Sequence, residues 1–252
     1  MFSIIWPSLI IYALRRHIPH EKHKLNNEVG GFIYAVLGVA YAVILAFVVL
    51  VDYENYNKAE DIVFSEANAI NNFCRDASML DEPFKGEVLR EAIIYAKLVV
   101  QDEWKIMNSG RYKEAGNGEA YTALRRLKTL VFNYSHKTER EKEFYTLLVG
   151  DFRKMRELRA DRLMMSTSTL PGILYFVILV GYVLTVSYTF FFSSLSVKAQ
   201  ITMTSMLSMV LALVIFLIIE MDLPYSGSTA VSPESIEFVI ESVTADEFEQ
   251  GI

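Results

Sequence analysis

Long apolar runs alternate along this chain with long amphipathic ones. Residues 29–51 carry no charge after Glu28, and neither 172–192 nor 201–219 contains a charged residue. At about 1.5 Å per residue, each run extends roughly 28–35 Å as a helix, enough for a hydrocarbon core about 30 Å thick. One such run could be a buried core helix; three predict an integral membrane protein. The opening stretch MFSIIWPSLIIYAL is shorter. Its basic residues, Arg15 and Arg16, follow the apolar segment instead of preceding it, and no small-residue cleavage site comes after. It reads as an uncleaved, short or tilted first membrane segment, with Trp6 and Tyr12 as interface anchors.

Between the first and second membrane pairs the pattern becomes helical and amphipathic. Residues 52–80 lack Pro and Gly, and Val63, Ala67, Ile70, Cys74 and Ala77 recur at three- and four-residue steps. DEPFKG ends that helix. Leu89, Ile93, Ala96, Val100, Trp104 and Met107 repeat the spacing, and a loop, NSGRYKEAGNGE, follows. A third helix covers about 119–134. The fourth starts at TERE, where Thr138 and Glu141 fit a capping box, and its stripe is Phe144, Leu148, Phe152, Met155 and Leu158. Strand alternation is absent.

The predicted fold is therefore all-α: four transmembrane segments, the first of them short, and a helical bundle between the second and third. The expected divisions are an N-terminal membrane pair (1–51), a helical extramembrane domain (52–169), a second membrane pair (170–220) and an acidic tail (221–252). In the tail, Ser232 reads as an N-cap with Pro233 at the first helical position. Ile236, Val239, Ile240 and Val243 then lie on one side, suited to docking on the bundle.

The stretch VVLVDYENYNKAED, residues 48–61, passes from apolar to charged with no Pro or Gly. A single helix from about residue 29 to Leu80 is expected to leave the membrane without a break. Its membrane half carries Gly31, Ala35, Gly38, Ala42 and Ala46 at steps of four and three. Small residues let helix backbones approach closely in lipid. The stripe serves either packing within the chain or packing against copies of itself around an axis. Asp52 and Glu54 follow at the membrane boundary. They are either a solvated helix end or, in a ring of copies, a ring of negative charge that favours cations.

Composition removes several function classes. The net charge is −6 and no basic stripe exists, which argues against a nucleic-acid partner. The single cysteine, Cys74, excludes an internal disulfide. His17, His20 and His23 fall in RRHIPHEKHK, but Pro19 interrupts any regular helix there. A basic interfacial loop is expected, not a metal site. No phosphate-binding loop, nucleophile elbow, HExxH or CxxC occurs, so neither enzyme activity nor a cofactor is expected.

The stretch GFIYAVLGVAYAVILAFVVLVDYENYNKAEDIVFSEANAINNFCRDA resembles the bacterial bestrophin-like domain family, and DLPYSGSTAVSPESIEFVI resembles that family's closing motif. The link onward to true bestrophins rests on the four-span layout and on the long second helix. That resemblance implies a homo-oligomeric ion channel, a pentamer, with the second membrane helix lining the pore. It also implies a multi-pass protein of the bacterial inner membrane whose helical domain is cytosolic. The pore-lining candidates, off the small stripe, are Ile33, Leu37, Ile44, Val48 and Val51; the selectivity candidates are Asp52 and Glu54. Bestrophins place basic and aromatic residues just past the pore helix, where this chain has Asp52, Tyr53 and Glu54. The alternative function is a non-conducting membrane scaffold or sensor subunit that binds a partner through its helical domain.

Overall fold

The computed structural model describes residues 27–109, 112–192 and 196–249, and among these no strand occurs. The expected short first membrane segment and the His17–His20–His23 loop lie outside the described residues. Helix α1 runs unbroken over Asn27–Ala77. It is followed by α2 (Phe84–Leu98), a π turn (Val99–Glu103), α3 (Trp104–Asn108), α4 (Tyr112–Ala115), α5 (Glu119–Asn133) and α6 (Glu139–Met165). Next come α7 (Gly172–Tyr188), α8 (Val197–Met221) and α9 (Glu234–Glu249). Contacts divide the chain into two units: Met1–Glu54 with Thr169–Asp222, and Asn55–Ser168 with Leu223–Ile252.

The first unit holds the apolar parts of α1, α7 and α8. Three helices, Val29–Ala77, Gly172–Phe191 and Val197–Met221, are long and apolar enough to cross a membrane. Within the protein only 17%, 22% and 22% of their apolar windows is covered. The remainder exposes Phe32, Val36, Val43, Phe47, Phe176, Leu213 and Phe216. Water would penalise that much apolar surface, whereas lipid does not. A small core of Tyr41, Leu45, Val48, Leu170, Ile178 and Ile218 ties the three helices together.

The second unit is a helical bundle with a conventional buried core. The expected stripe on α1 is buried throughout: Val63, Ala67, Ile70, Cys74 and Ala77 all sit in it. So are Leu148, Phe152, Met155 and Leu158 of α6, with Phe144 half-buried. The start of α6 is capped as its sequence predicts, the Thr138 hydroxyl accepting the Glu141 amide at 3.1 Å. The reciprocal bond moves one residue outward: the Glu141 carboxylate takes the Lys137 amide at 2.6 Å and the Tyr134 hydroxyl at 3.1 Å. These donors, the Lys137 amide foremost, hold the Glu141 carboxyl below the usual carboxylate range.

The tail helix α9 docks as expected. Ser232 accepts the Glu234 amide at 3.2 Å, and Ile236, Val239 and Val243 enter the bundle core beside Ile70, Cys74 and Ala96. Tyr225 anchors the preceding turn, donating to the Ala59 carbonyl at 3.1 Å.

Candidate functional site

In the membrane unit, α1 presents two unlike faces. Tyr41, Leu45, Val48 and Asp52, spaced by four, three and four residues, are covered by the protein's own α7, α8 and adjoining segments. Tyr41 closes the contact with α7. Its hydroxyl donates to the Ile178 carbonyl at 2.7 Å, and its ring lies against Gly181, where a Cβ would stand 2.3 Å from Cε2. Further along, Tyr34 stacks on Tyr188 at 5.4 Å between ring centroids. A polar row on α8, Gln200, Thr204 and Ser208, is buried towards α7. Gln200 donates to the Phe192 carbonyl, Thr204 meets Thr189, and Ser208 pairs with Tyr182 at 2.7 Å.

Away from that row, α1 is largely uncovered. Ala35, Ala42 and Ala46 of the small stripe are exposed, while Gly31 and Gly38 are half-buried. A Cβ on Gly38 would meet nothing within 4 Å. Of the pore-lining candidates, Ile33 and Ile44 are exposed, and Leu37 and Val51 are half-buried. Val48 differs: it is 2% exposed, packed with Leu170, Ile178 and Ile218. The selectivity candidates part in the same way. Glu54 is exposed, while Asp52 is 1% exposed, two residues before it and turned inward.

Asp52 sits one turn beyond Val48, as Asp222 sits one turn beyond Ile218, so the two carboxylates end the same packed seam. They are electrostatic neighbours, and Tyr175 lies within reach of both. Asp222 is held by two donors at 2.6 Å, the Leu170 amide and the Tyr175 hydroxyl. Neither oxygen of Asp52 has a hydrogen-bond partner.

The helical unit contains a second polar feature that apolar periodicity does not reveal. Glu66, Glu103, Arg159 and Arg162 are all buried and form one charge-balanced network. Arg162 gives Nε to Glu66 at 2.6 Å and Nη2 to Glu103 at 2.7 Å, and lies 5.1 Å over the Trp104 ring. Arg159 gives Nε to Glu103 at 3.1 Å and Nη2 to the Ala115 carbonyl at 3.2 Å. Tyr95 donates to Glu66 at 3.1 Å. Burial alone would pull the Arg162 pKa down, but Glu66 and Glu103 more than reverse that and hold it well above its ordinary value. Across the π turn and the helix after it, Val99, Glu103, Trp104 and Met107 are all buried. A signal was present in the chain: Glu66 falls between Val63 and Ile70 on the apolar stripe, and Arg159 and Arg162 prolong the stripe of Phe152 and Met155. Among the described residues no group of three or more side chains is arranged to hold a metal.

The bestrophin-like domain profile matches residues 1–236. Comparison with curated proteins finds no match. Among solved structures, a bacterial bestrophin homologue from Klebsiella pneumoniae aligns with a TM-score of 0.71 at 12% identity, over 97% of this chain and 98% of that one. Two point variants of the Klebsiella pneumoniae homologue align with TM-scores of 0.72 and 0.73 at 11% and 10% identity. The first covers 98% of both chains, the second 96% of this chain and 98% of that one. At such identities the likeness concerns the fold alone. On the match over residues 1–236, the chain belongs to the bestrophin-like domain family.

Proposed function

We propose that the protein is a passive ion channel, a cyclic homo-oligomer and most simply a pentamer, with the uncovered face of α1 nearest the axis. One observation carries the reading beyond family membership. The small residues Ala35, Ala42 and Ala46 lie on the face of α1 that its own chain leaves open. In lipid there is no water to expel, so close helix association relies on dispersion between backbones that small side chains allow to approach. A helix facing only lipid has no need of such a stripe.

In this arrangement Ile33 and Ile44, with Leu37 and Val51 at the edges, supply the hydrophobic neck. Glu54 supplies the ring of negative charge at the membrane boundary. The protein sits in the bacterial inner membrane with its helical unit in the cytosol. The permeant ion is a cation on the strength of Glu54, since the next basic residue along α1 is Lys58.

A scaffold or sensor role remains the competing reading, supported by Phe64, Phe132, Leu147 and Phe238, which the helical unit exposes to solvent. Purified protein in proteoliposomes under salt gradients separates the two. Selective ion flux that scales with inserted oligomer supports the channel. No flux under any gradient, from a correctly inserted oligomer, leaves the scaffold.

A further inference from the structure

We infer that the helical unit carries a contact between neighbouring copies of this chain. In it, the exposed row Tyr121, Arg125 and Lys128 on α5 of one copy meets the exposed row Glu237, Phe238 and Glu241 on α9 of the next. The inference rests on the cyclic oligomer proposed above, not on whether that oligomer conducts.

The two rows are opposite in charge, and each holds an aromatic ring. Tyr121, Arg125 and Lys128 step by four and three along α5, so they share one stripe of its surface, and all three are exposed. On α9, Glu237, Phe238 and Glu241 are exposed while Ile236, Val239 and Val243 are buried. Phe238, beside Glu237 and one turn before Glu241, is 70% exposed. A solvated face interleaves charges of both signs, as α6 does with Lys154 and Glu157. Here each row has one sign. Among the described residues no ion pair engages Arg125, Lys128, Glu237 or Glu241, whereas Arg126, next in the chain, is tied to Glu91 at 2.6 Å.

The rows also lie at matching levels. Both α5 and α9 pack on α2. The start of α2 meets the end of α5, where Phe84 stacks on Tyr134 at 4.0 Å between centroids. Past the other end of α2, Trp104 donates to the Val231 carbonyl, just before α9 begins. Both helices therefore run opposite to α2, and in the same direction as each other. Glu91, which holds Arg126, adjoins Ala92 and Ile93, and these line a narrow cleft with Val239, Ile240 and Val243. The middle of α5 and the middle of α9 thus share one level of α2. Rotation about an axis along these helices moves a copy sideways and leaves its levels unchanged. It brings Tyr121 level with Phe238, and Arg125 with Glu241, to within about one turn. A ring requires two different faces on each copy, so that contacts run head to tail and close. The α5 and α9 rows are such a pair.

The test is cysteine cross-linking of the full-length protein in mild detergent, with a bismaleimide spanning about 8–10 Å, the spacing of packed helices. Tyr121→Cys combined with Phe238→Cys should give a ladder of covalent multimers on a denaturing gel. Its yield should exceed that of either single variant about tenfold or more, since thiols held together by the contact react at a high effective concentration. Cys74 is buried and common to all the variants. Arg125→Cys combined with Glu241→Cys should behave in the same way, which keeps the test decisive if the first pair fails to fold. No ladder from either pair, while light scattering reports an oligomer, overturns this contact and leaves the oligomer standing. A monomer under the same conditions overturns both. Dimers as abundant from a single variant as from the pair also overturn the contact, because like faces then meet.

Discussion

The ring of Tyr41 fills the space that a Cβ on Gly181 would need, its Cε2 2.3 Å from that position, while its hydroxyl donates to Ile178. This contact joins α1 to α7, and it relies on the absence of a side chain at Gly181. Gly181→Ala should therefore cost about 1–3 kcal/mol by overpacking. Tyr41→Phe, which keeps the ring and loses one hydrogen bond, should cost about 0.6–1.7 kcal/mol. Unfolding midpoints in detergent check both. A Gly181→Ala protein as stable as the parent would mean that the ring moves aside freely.

In the helical unit the decisive residue is Arg162, fully buried between Glu66 and Glu103. Arg162→Ala strands both carboxylates and should cost about 3–5 kcal/mol, enough to lower expression. Combining Arg162→Met with Glu66→Gln should be milder than Arg162→Ala, since it removes charge of both signs and keeps volume. Urea or thermal unfolding of the variants gives the comparison. A single variant milder than the double would show that burial of charge is not the dominant cost.

Asp151 and Asp76 make a carboxyl pair on the helical unit. Burial, followed by the charge of Asp76, pushes the Asp151 pKa up to about 6. Because the folded protein then holds this proton more tightly than the unfolded chain, the contribution to stability is complete below about pH 4. It is lost as pH rises through about 6. Asp151→Asn should accordingly raise the unfolding midpoint at pH 8 and give no gain at pH 4. An equal gain at both pH values would assign the effect to packing, not to charge.

The open face of α1 can be tested for assembly without touching the protomer. Gly38 has room for a Cβ, and Ala42 is exposed. Gly38→Leu and Ala42→Leu should preserve helical content while shifting the protein towards smaller species in light scattering. An unchanged oligomer would place the subunit contact elsewhere.

The helices were legible because apolar periodicity reports burial directly. Val63 to Ala77 on α1 and Leu148 to Leu158 on α6 are the seams their spacing predicts, and Thr138 caps as its motif requires. What periodicity does not disclose is which apolar face of a membrane helix meets protein and which meets lipid, since both are equally greasy. Val48 and Ile44 look alike in the chain, yet one is enclosed and the other exposed. The better guide on α1 was polarity: Tyr41 and Asp52 share the enclosed face with Val48. The charged network escaped for the opposite reason. Glu66, Arg159 and Arg162 occupy apolar-stripe positions, where a charge is tolerable only with a partner that is far away in sequence.

On the proposed channel reading, the same division of faces separates the two carboxylates at the mouth. Glu54 is exposed on α1 and Asp52 is enclosed, although only one residue separates them. At an effective dielectric near 20, a carboxylate about 8 Å from an ion is worth roughly 2 kcal/mol before screening, so five copies around an axis would bias permeation towards cations. An enclosed carboxylate contributes little of this. In proteoliposomes or planar bilayers under asymmetric KCl, Glu54→Gln should move the reversal potential towards the anion side. Asp52→Asn should leave it in place while changing stability. A shift in Asp52→Asn with none in Glu54→Gln would reverse the assignment of faces and return Asp52 to the pore. If neither variant shifts, the mouth at this level does not select, and the neck at Ile33 and Ile44 becomes the place to look.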